Sequence, residues 1–186
     1  MSPIMSTTNL KLFHYSEELN IQHFVPRRHK TLAGEMVWAV DAFHRMNFLV
    51  PRDCPRVTFY VGATSTPADI ERLMGHTEAE HVIAVETAWL PRIRACRLYE
   101  YAMPVDTFEL EDIHAGYYIS RTAVAPSTCR EIPDVMAELL RHSVELRITP
   151  SLWRLRDQVA DSSLEFSISR MRNAAPPLNY VPKYPA

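Results

Sequence analysis

Short runs in which apolar and polar residues alternate recur along most of the chain. These runs are rich in β-branched and aromatic side chains, which suit a pleated and half-buried surface. The pattern therefore predicts strands at 10–15, 35–41, 56–61, 81–86, 96–102, 117–121 and 144–149.

Apolar residues at helical spacing are confined to fewer stretches. Thr66 stands before Pro67, which suits a helix N-cap followed by the first helical position, and predicts a helix over 67–74. The longest predicted helix is C-terminal and covers 151–172. Shorter helical segments are predicted at 42–48, 87–94 and 133–142.

Strands outnumber helices in this pattern and do not alternate with them strictly, which is typical of the α+β class. We therefore predict one α+β domain over 10–174, with a mixed or split β-sheet, flanking short helices and a long C-terminal helix. Residues 1–9 and the proline-rich stretch 175–186 are predicted to be flexible tails.

Composition excludes several classes of protein. The chain has 186 residues and a net charge of −2, which argues against a free-standing nucleic-acid clamp. Only 4 residues are glycine, which argues against glycine-rich phosphate loops. No stretch approaches the ~20 apolar residues of a membrane span, so no membrane partner is predicted.

Cysteine and histidine spacing indicates neither a metal site nor a disulfide framework. Cys54, Cys96 and Cys129 form no CxxC pair, and the eight histidines form no HxxxH. We therefore predict a reduced, cytoplasmic protein without a bound metal.

Several residues at predicted strand ends and loops carry chemistry. His14 and Ser16 end the first strand, where they either line a ligand pocket or fill core and turn-capping roles. Trp38 either stacks on a planar ring or packs in the core. Tyr117 and Tyr118 face opposite sides of a strand, so one of them is available to a pocket with Ser120 and Arg121, which follow them.

The string PRDCPRV, from Pro51 to Val57, is the most unusual in the chain. Two prolines stiffen this loop, so Arg52 either clamps a phosphate or carboxylate or pairs internally with Asp53. Cys54 is either a nucleophile beside a histidine or a small buried side chain. On the predicted last helix, Glu165, Arg170 and Arg172 either contact an anionic ligand or partner, or anchor the helix.

Four strings together resemble an uncharacterised bacterial family of single-domain proteins. They are LFHYSEE, MVWAVD, PRDCPRV and SLEFSISRMRNA, and the resemblance covers about residues 10–174. It implies a domain of unknown function and no particular reaction.

A weaker resemblance is to ADP-ribosyltransferase-like domains. LFHxS ending the first strand, IxxFxP at 21–26 and VWA at 37–39 resemble the opening of that fold. LYEYAMP at 98–104, Phe108 and the segment from YYIS at 117–120 to Pro126 resemble its later part.

The second resemblance implies an NAD or ADP-ribose type of ligand, with NAD as a substrate. It makes His14 the ribose contact, and Tyr117 stands where the pattern places an acidic residue, so the domain is expected to be catalytically degenerate. If active, it would be an ADP-ribosyl or glycosyl transferase or an NAD glycohydrolase. The implied catalytic residues are His14 and Tyr117, and the implied ligand-binding residues are His14, Ser16, Trp38, Arg52, Tyr118, Ser120 and Arg121.

Two alternatives from other classes stay open. One is a non-enzymatic interaction module that uses an exposed apolar patch. The other is a small hydrolase that uses Asp53 or Cys54 with a nearby histidine.

Overall fold

Two separate β-sheets organise the chain in the computed structural model, which describes residues 10–28, 32–177 and 179–186. The predicted α+β class is confirmed. The chain forms two compact units, Met1–Arg45 with Leu98–Ile132 and Met46–Arg97 with Pro133–Ala186, and each is described by itself. Every helix in the described part of the chain is too short or too polar to cross a membrane.

The strands of the first unit are β1 Leu12–Ser16, β2 Arg27–Arg28, β3 Glu35–Asp41, β6 Leu98–Met103, β7 Glu109–Asp112, β8 Tyr117–Ser120 and β9 Thr128–Ile132. They form a sheet in which all the described pairings are antiparallel, in the order β7-β8-β3-β1-β6-β9, with β2 also paired to β3. One face of this sheet buries a core of Leu12, Phe24, Val37, Ala39, Tyr101, Met103 and Val124.

The strands of the second unit are β4 Arg56–Tyr60, β5 His81–Glu86, β10 Val144–Thr149 and β11 Glu165–Ser169. They form a four-stranded sheet in the order β10-β5-β4-β11, in which β10 and β5 are parallel. The central strands β4 and β5 are buried along their whole length, including their polar residues Arg56, Thr58, His81 and Glu86.

The helices of the described residues are short. They are α1 Pro67–Asp69, which continues as a π-helical turn over Ile70–Met74, α2 Leu90–Ala95, α3 Val135–Arg141 and α4 Trp153–Ala160. Single 3-10 turns cover His44–Phe48, Thr87–Trp89 and Met171–Asn173. The predicted N-cap is confirmed, because the Thr66 side chain accepts from the Asp69 backbone N–H at 3.3 Å.

The predicted long C-terminal helix is wrong. Its first half is α4, which ends at Ala160, and its second half is the strand β11. The spacing of four residues between Leu164 and Ile168 fits both helical and strand periods, and pairing of β11 with β4 selects the strand. Glu165 therefore does not share a helix face with Arg172.

Sequence patterning also missed β2, β7 and β9. The strand β2 lies between the predicted strands 10–15 and 35–41, where no element was predicted. The strand β7 lies in an acidic stretch whose four residues are all exposed. Predicted tail residues 1–9 lie outside the described residues, whereas the stretch 179–186 contacts α4.

Candidate functional site

His14 lies where β1 separates from β3. The recorded pairing of the two strands is Leu12 with Asp41 and Phe13 with Val40. His14 Nδ1 is 2.8 Å from the Trp38 carbonyl oxygen, which only accepts hydrogen bonds, so Nδ1 carries the proton. The imidazole also stacks against Phe24, with 4.5 Å between ring centroids.

Trp38 and Tyr117 meet on the opposite face of the same sheet. Their rings lie 5.6 Å apart in an edge-to-face arrangement. His14 on β1 pairs directly with Tyr101 on β6, so its side chain lies on the face of the sheet that carries the Tyr101 core. Side chains alternate between faces along β3, and Trp38 lies on the other face. The structure brings His14, Trp38 and Tyr117 onto neighbouring strands, but it does not bring their rings into one pocket.

The remaining predicted residues of this unit make internal contacts. The Ser120 hydroxyl, which is 1% exposed, donates to the Thr107 hydroxyl at 3.0 Å. Arg121 lies 3.5 Å from the Glu109 carboxylate. Tyr118 packs against the core, and burial, followed by the charge of Asp41, raises the pKa of its hydroxyl.

Ser16 has the capping role that was the alternative interpretation. Its hydroxyl accepts from the Glu18 backbone N–H at 3.0 Å. The assignment of His14 and Tyr117 as catalytic, and of their neighbours as ligand contacts, stays a prediction.

A buried carboxylate that sequence reasoning missed lies next to this region. Glu100 receives the Tyr15 hydroxyl at 2.5 Å and Arg130 Nε at 3.0 Å, and Arg45 is 3.5 Å away. Burial, then the charge of Glu100, raises the pKa of Tyr15. Because both carboxylate oxygens are engaged, the cluster acts as an anchor between strands. The alternation of side chains along the strand LYEYAM could have indicated that this glutamate is buried.

Asp41 and His44 form a second missed pair. Both carboxylate oxygens of Asp41 lie 2.9 Å from His44 Nδ1, and Asp41 Oδ1 also accepts the backbone N–H groups of Phe43 and His44. Burial alone would raise the pKa of Asp41, but the hydrogen bonds from His44 outweigh it and hold that pKa below its ordinary value. The pair orients the imidazole at the end of β3.

In the second unit, the PRDCPRV loop at 51–57 contacts the turn RMRN at 170–173. Pairing of β4 with β11 brings the two segments to the same end of the sheet. Arg170 Nε donates to the Arg52 carbonyl at 3.2 Å, and Asn173 Nδ2 donates to the Asp53 carbonyl at 2.8 Å. Arg52 itself is exposed.

Cys54 lies inside this loop and is fully buried. Burial raises the pKa of its thiol to about 12, so almost none of it is thiolate at neutral pH. Since the thiolate is the nucleophile, burial of Cys54 argues against the Cys54 form of the hydrolase hypothesis, which stays a prediction. The buried-side-chain alternative describes this residue.

A cavity of about 530 Å³ opens beside the loop and the turn. Arg92 lies over the Trp89 ring, 4.5 Å from its centroid. No ion pair within the described residues engages Arg92 or Arg172, so both guanidinium groups are available to an anion. The lining side chains are Asp53, Trp89, Arg92, Arg172 and Asn173.

Sequence reasoning identified part of this cavity. It singled out Arg172 as a candidate for an anion contact, on the assumption of a continuous C-terminal helix. It singled out Asp53 as an internal partner of Arg52 or as a hydrolase residue. It missed Trp89 and Arg92. These residues are three apart, and that spacing could have indicated that their side chains stack on one helical turn. The described residues contain no cluster of three or more His, Cys, Asp or Glu side chains arranged to hold a metal.

The fold and this cavity define an α+β protein with an arginine-lined surface cavity. The model of a family described as "Family of unknown function (DUF6886)" matches residues 13–174. The chain belongs to this family. No curated protein and no solved structure matches it.

Proposed function

We propose that the protein binds a small phosphorylated, nucleotide-like ligand of the NAD or ADP-ribose type in the cavity between the PRDCPRV loop, α2 and the RMRN turn. The observation that carries the proposal is the pair Arg92 and Arg172, which line one cavity and make no ion pair with any other residue that the structure describes. Arginine presents a planar fork of donors that fits phosphate oxygens bidentately.

Two further side chains and the cavity volume favour a nucleotide over a bare phosphate. Trp89 offers an aromatic surface for an adenine or nicotinamide ring, and it already carries the Arg92 guanidinium. Asp53 repels an anion but accepts hydrogen bonds from ribose hydroxyls. The cavity volume, about 530 Å³, lies within the range of about 300–1,000 Å³ that suits small-molecule ligands.

The proposal includes binding but no group transfer. An oxocarbenium-like transition state needs a fixed negative charge nearby, and Tyr117 stands where the transferase-like pattern places an acid. The Tyr117 ring packs on Trp38, and the nearby Glu100 is already held by Tyr15 and Arg130. We therefore propose a catalytically degenerate relative of ADP-ribosyltransferases, located in the cytoplasm.

Thermal shift with NAD, ADP-ribose, AMP and inorganic phosphate tests the proposal. A ligand at 100 times its Kd adds about 2.7 kcal/mol of stability, which is a shift of several degrees for a chain of this size. We expect ADP-ribose or NAD to raise Tm in the native protein. The shift should be lost in Arg92→Gln and Arg172→Gln and kept in Arg94→Gln, a matched control on the same helix that does not line the cavity.

Three outcomes would contradict this assignment. No shift with any member of the panel removes the proposed function. A shift that survives both Arg92→Gln and Arg172→Gln shows that the ligand binds elsewhere. A shift that is lost only in His14→Ala moves the site to the region implied by the transferase resemblance.

A further inference from the structure

The helix α4 carries an arginine and an aspartate that are almost fully buried. Arg156 and Asp157 are each 3% exposed, and Arg156 Nε lies 2.6 Å from Asp157 Oδ1. Burying a charge is costly unless it is paired and hydrogen-bonded. The remaining polar atoms of this pair therefore need partners, and the stretch 179–186 provides them.

The stretch 179–186 binds this pair mostly through its backbone. Arg156 donates to the carbonyl oxygens of Tyr184 and Pro185, at 2.7 and 2.8 Å. Asp157 Oδ2 accepts the Lys183 backbone N–H and the Tyr180 hydroxyl, both at 2.7 Å. Such backbone contacts, with a few side chains for selection, are how proteins recognise extended peptides.

Three further contacts select particular side chains. Lys183 Nζ lies 2.8 Å from both carboxylate oxygens of Asp161, which also accepts the Tyr184 hydroxyl. Arg154 lies over the Tyr180 ring, 5.5 Å from its centroid. The α4 face thus contacts one lysine and two tyrosines of the stretch.

Tyr180 is the apolar anchor of the stretch, because it packs against the buried core of the second unit. The other large side chains gain less from burial, since Val181 is 89% exposed and Tyr184 is 38% exposed. Polar and cation–π contacts to a charged helix face supply the rest of the interaction. One anchoring side chain surrounded by polar and backbone contacts is a mode in which proteins recognise extended peptides.

We propose that the α4 face, formed by Arg154, Arg156, Asp157 and Asp161, is a peptide-binding site whose ligand is the detachable stretch 179–186. The site therefore also binds a separate peptide of that sequence, NYVPKYPA, when the stretch of its own chain is detached. This site is distinct from the cavity at Arg92, so failure of either proposal leaves the other standing.

The test uses the full-length chain with the substitutions Tyr180→Ala, Lys183→Ala and Tyr184→Ala, called the tail variant. These substitutions remove the three side chains of the attached stretch that contact α4 and leave α4 itself unchanged. A fluorescent NYVPKYPA peptide is titrated and followed by anisotropy, with a scrambled peptide as the control. We expect saturable binding to this variant. Binding to the native chain should be at least about tenfold weaker, because the attached stretch competes at an effective concentration in the millimolar range.

A second substitution shows where the peptide binds. Asp161 is exposed, so Asp161→Asn, added to the tail variant, should keep the fold and weaken peptide binding about fivefold through its lost contacts to Lys183 and Tyr184. The proposal is overturned if the folded tail variant binds no peptide. It is also overturned if Asp161→Asn leaves affinity unchanged, or if the scrambled peptide binds equally.

Discussion

Asn173 donates its side-chain amide to the backbone carbonyl of Asp53 over 2.8 Å and so joins two segments that are 120 residues apart in sequence. The bond ties the turn that carries Arg172 to the loop that carries Asp53, and both residues line the cavity. The hydrogen bond from Asn173 to Asp53 therefore fixes the position of Arg172 before any ligand binds.

The first prediction concerns that bond. Asn173→Ala should cost about 1 kcal/mol, the typical net value of one hydrogen bond, and lower Tm by about 2–4 °C. It should also weaken binding of ADP-ribose, because the turn is no longer fixed. Gln22→Ala removes an exposed amide in the other unit and should change neither quantity. Equal affinities for ADP-ribose in native and Asn173→Ala protein would show that the tie does not position Arg172.

The second prediction concerns acid stability. Asp69 accepts from Arg72 at 2.6 Å and from the Ser163 backbone N–H at 2.8 Å, and these bonds hold its pKa below the ordinary value. A lowered pKa in the folded state contributes stability above the unfolded value of about 3.9, and that contribution is lost as pH falls through the folded pKa.

Thermal unfolding of native and Asp69→Asn protein across pH 2–7 measures this effect. Asp69→Asn should lower Tm at neutral pH, and the difference from native should shrink below about pH 4. Glu71→Gln changes a second exposed carboxylate on the same turn and serves as the control. A Tm difference that stays constant across the range would contradict the assignment of the effect to Asp69 ionisation.

The third prediction concerns the Asp41 and His44 pair. Gly116 has φ +63°, and a Cβ there would lie 2.1 Å from His44 Nδ1. Gly116→Ala should therefore cost more than the ~1–2 kcal/mol of left-handed backbone alone, because the imidazole must also move. This cost in free energy of unfolding should be smaller in a His44→Ala background. Denaturant unfolding of the four proteins of the double-mutant cycle measures the difference. Strict additivity would contradict the close approach.

The fourth prediction concerns the cysteines. Cys54 and Cys96 are buried, whereas Cys129 is exposed. An aromatic disulfide reagent should label one thiol quickly in the folded protein, and Cys129→Ser should abolish that fast phase. Cys54→Ser should leave ligand binding unchanged. Fast labelling of Cys54 would restore it as a reactive residue.

Strand patterning predicted much of the fold because alternation is a local signal. The strands at 35–41, 81–86 and 144–149 match β3, β5 and β10 in both bounds. The C-terminal helix failed because β11 depends on its partner β4, which lies more than a hundred residues earlier. Tertiary pairing of that kind overrides a local period.

The candidate site was less accessible to sequence reasoning. Arg52 and Cys54 attracted attention through their unusual string, but Arg52 contributes its carbonyl and Cys54 is buried. Trp89 and Arg92 line the cavity but belong to no distinctive sequence motif. Their role depends on the approach of the Met171–Asn173 turn, which no local pattern indicates.

The most direct test of the cavity follows the three tryptophan indole N–H signals by two-dimensional NMR during titration with ADP-ribose. Trp89 lines the cavity, Trp38 lies beside Tyr117, and Trp153 donates to the Ala175 carbonyl, so the signals report on three different places. Tryptophan-to-phenylalanine variants assign them. The account predicts a saturable shift of the Trp89 signal that is lost in Arg172→Gln. A shift of Trp38 alone, or no shift of Trp89 at millimolar ADP-ribose, would contradict it.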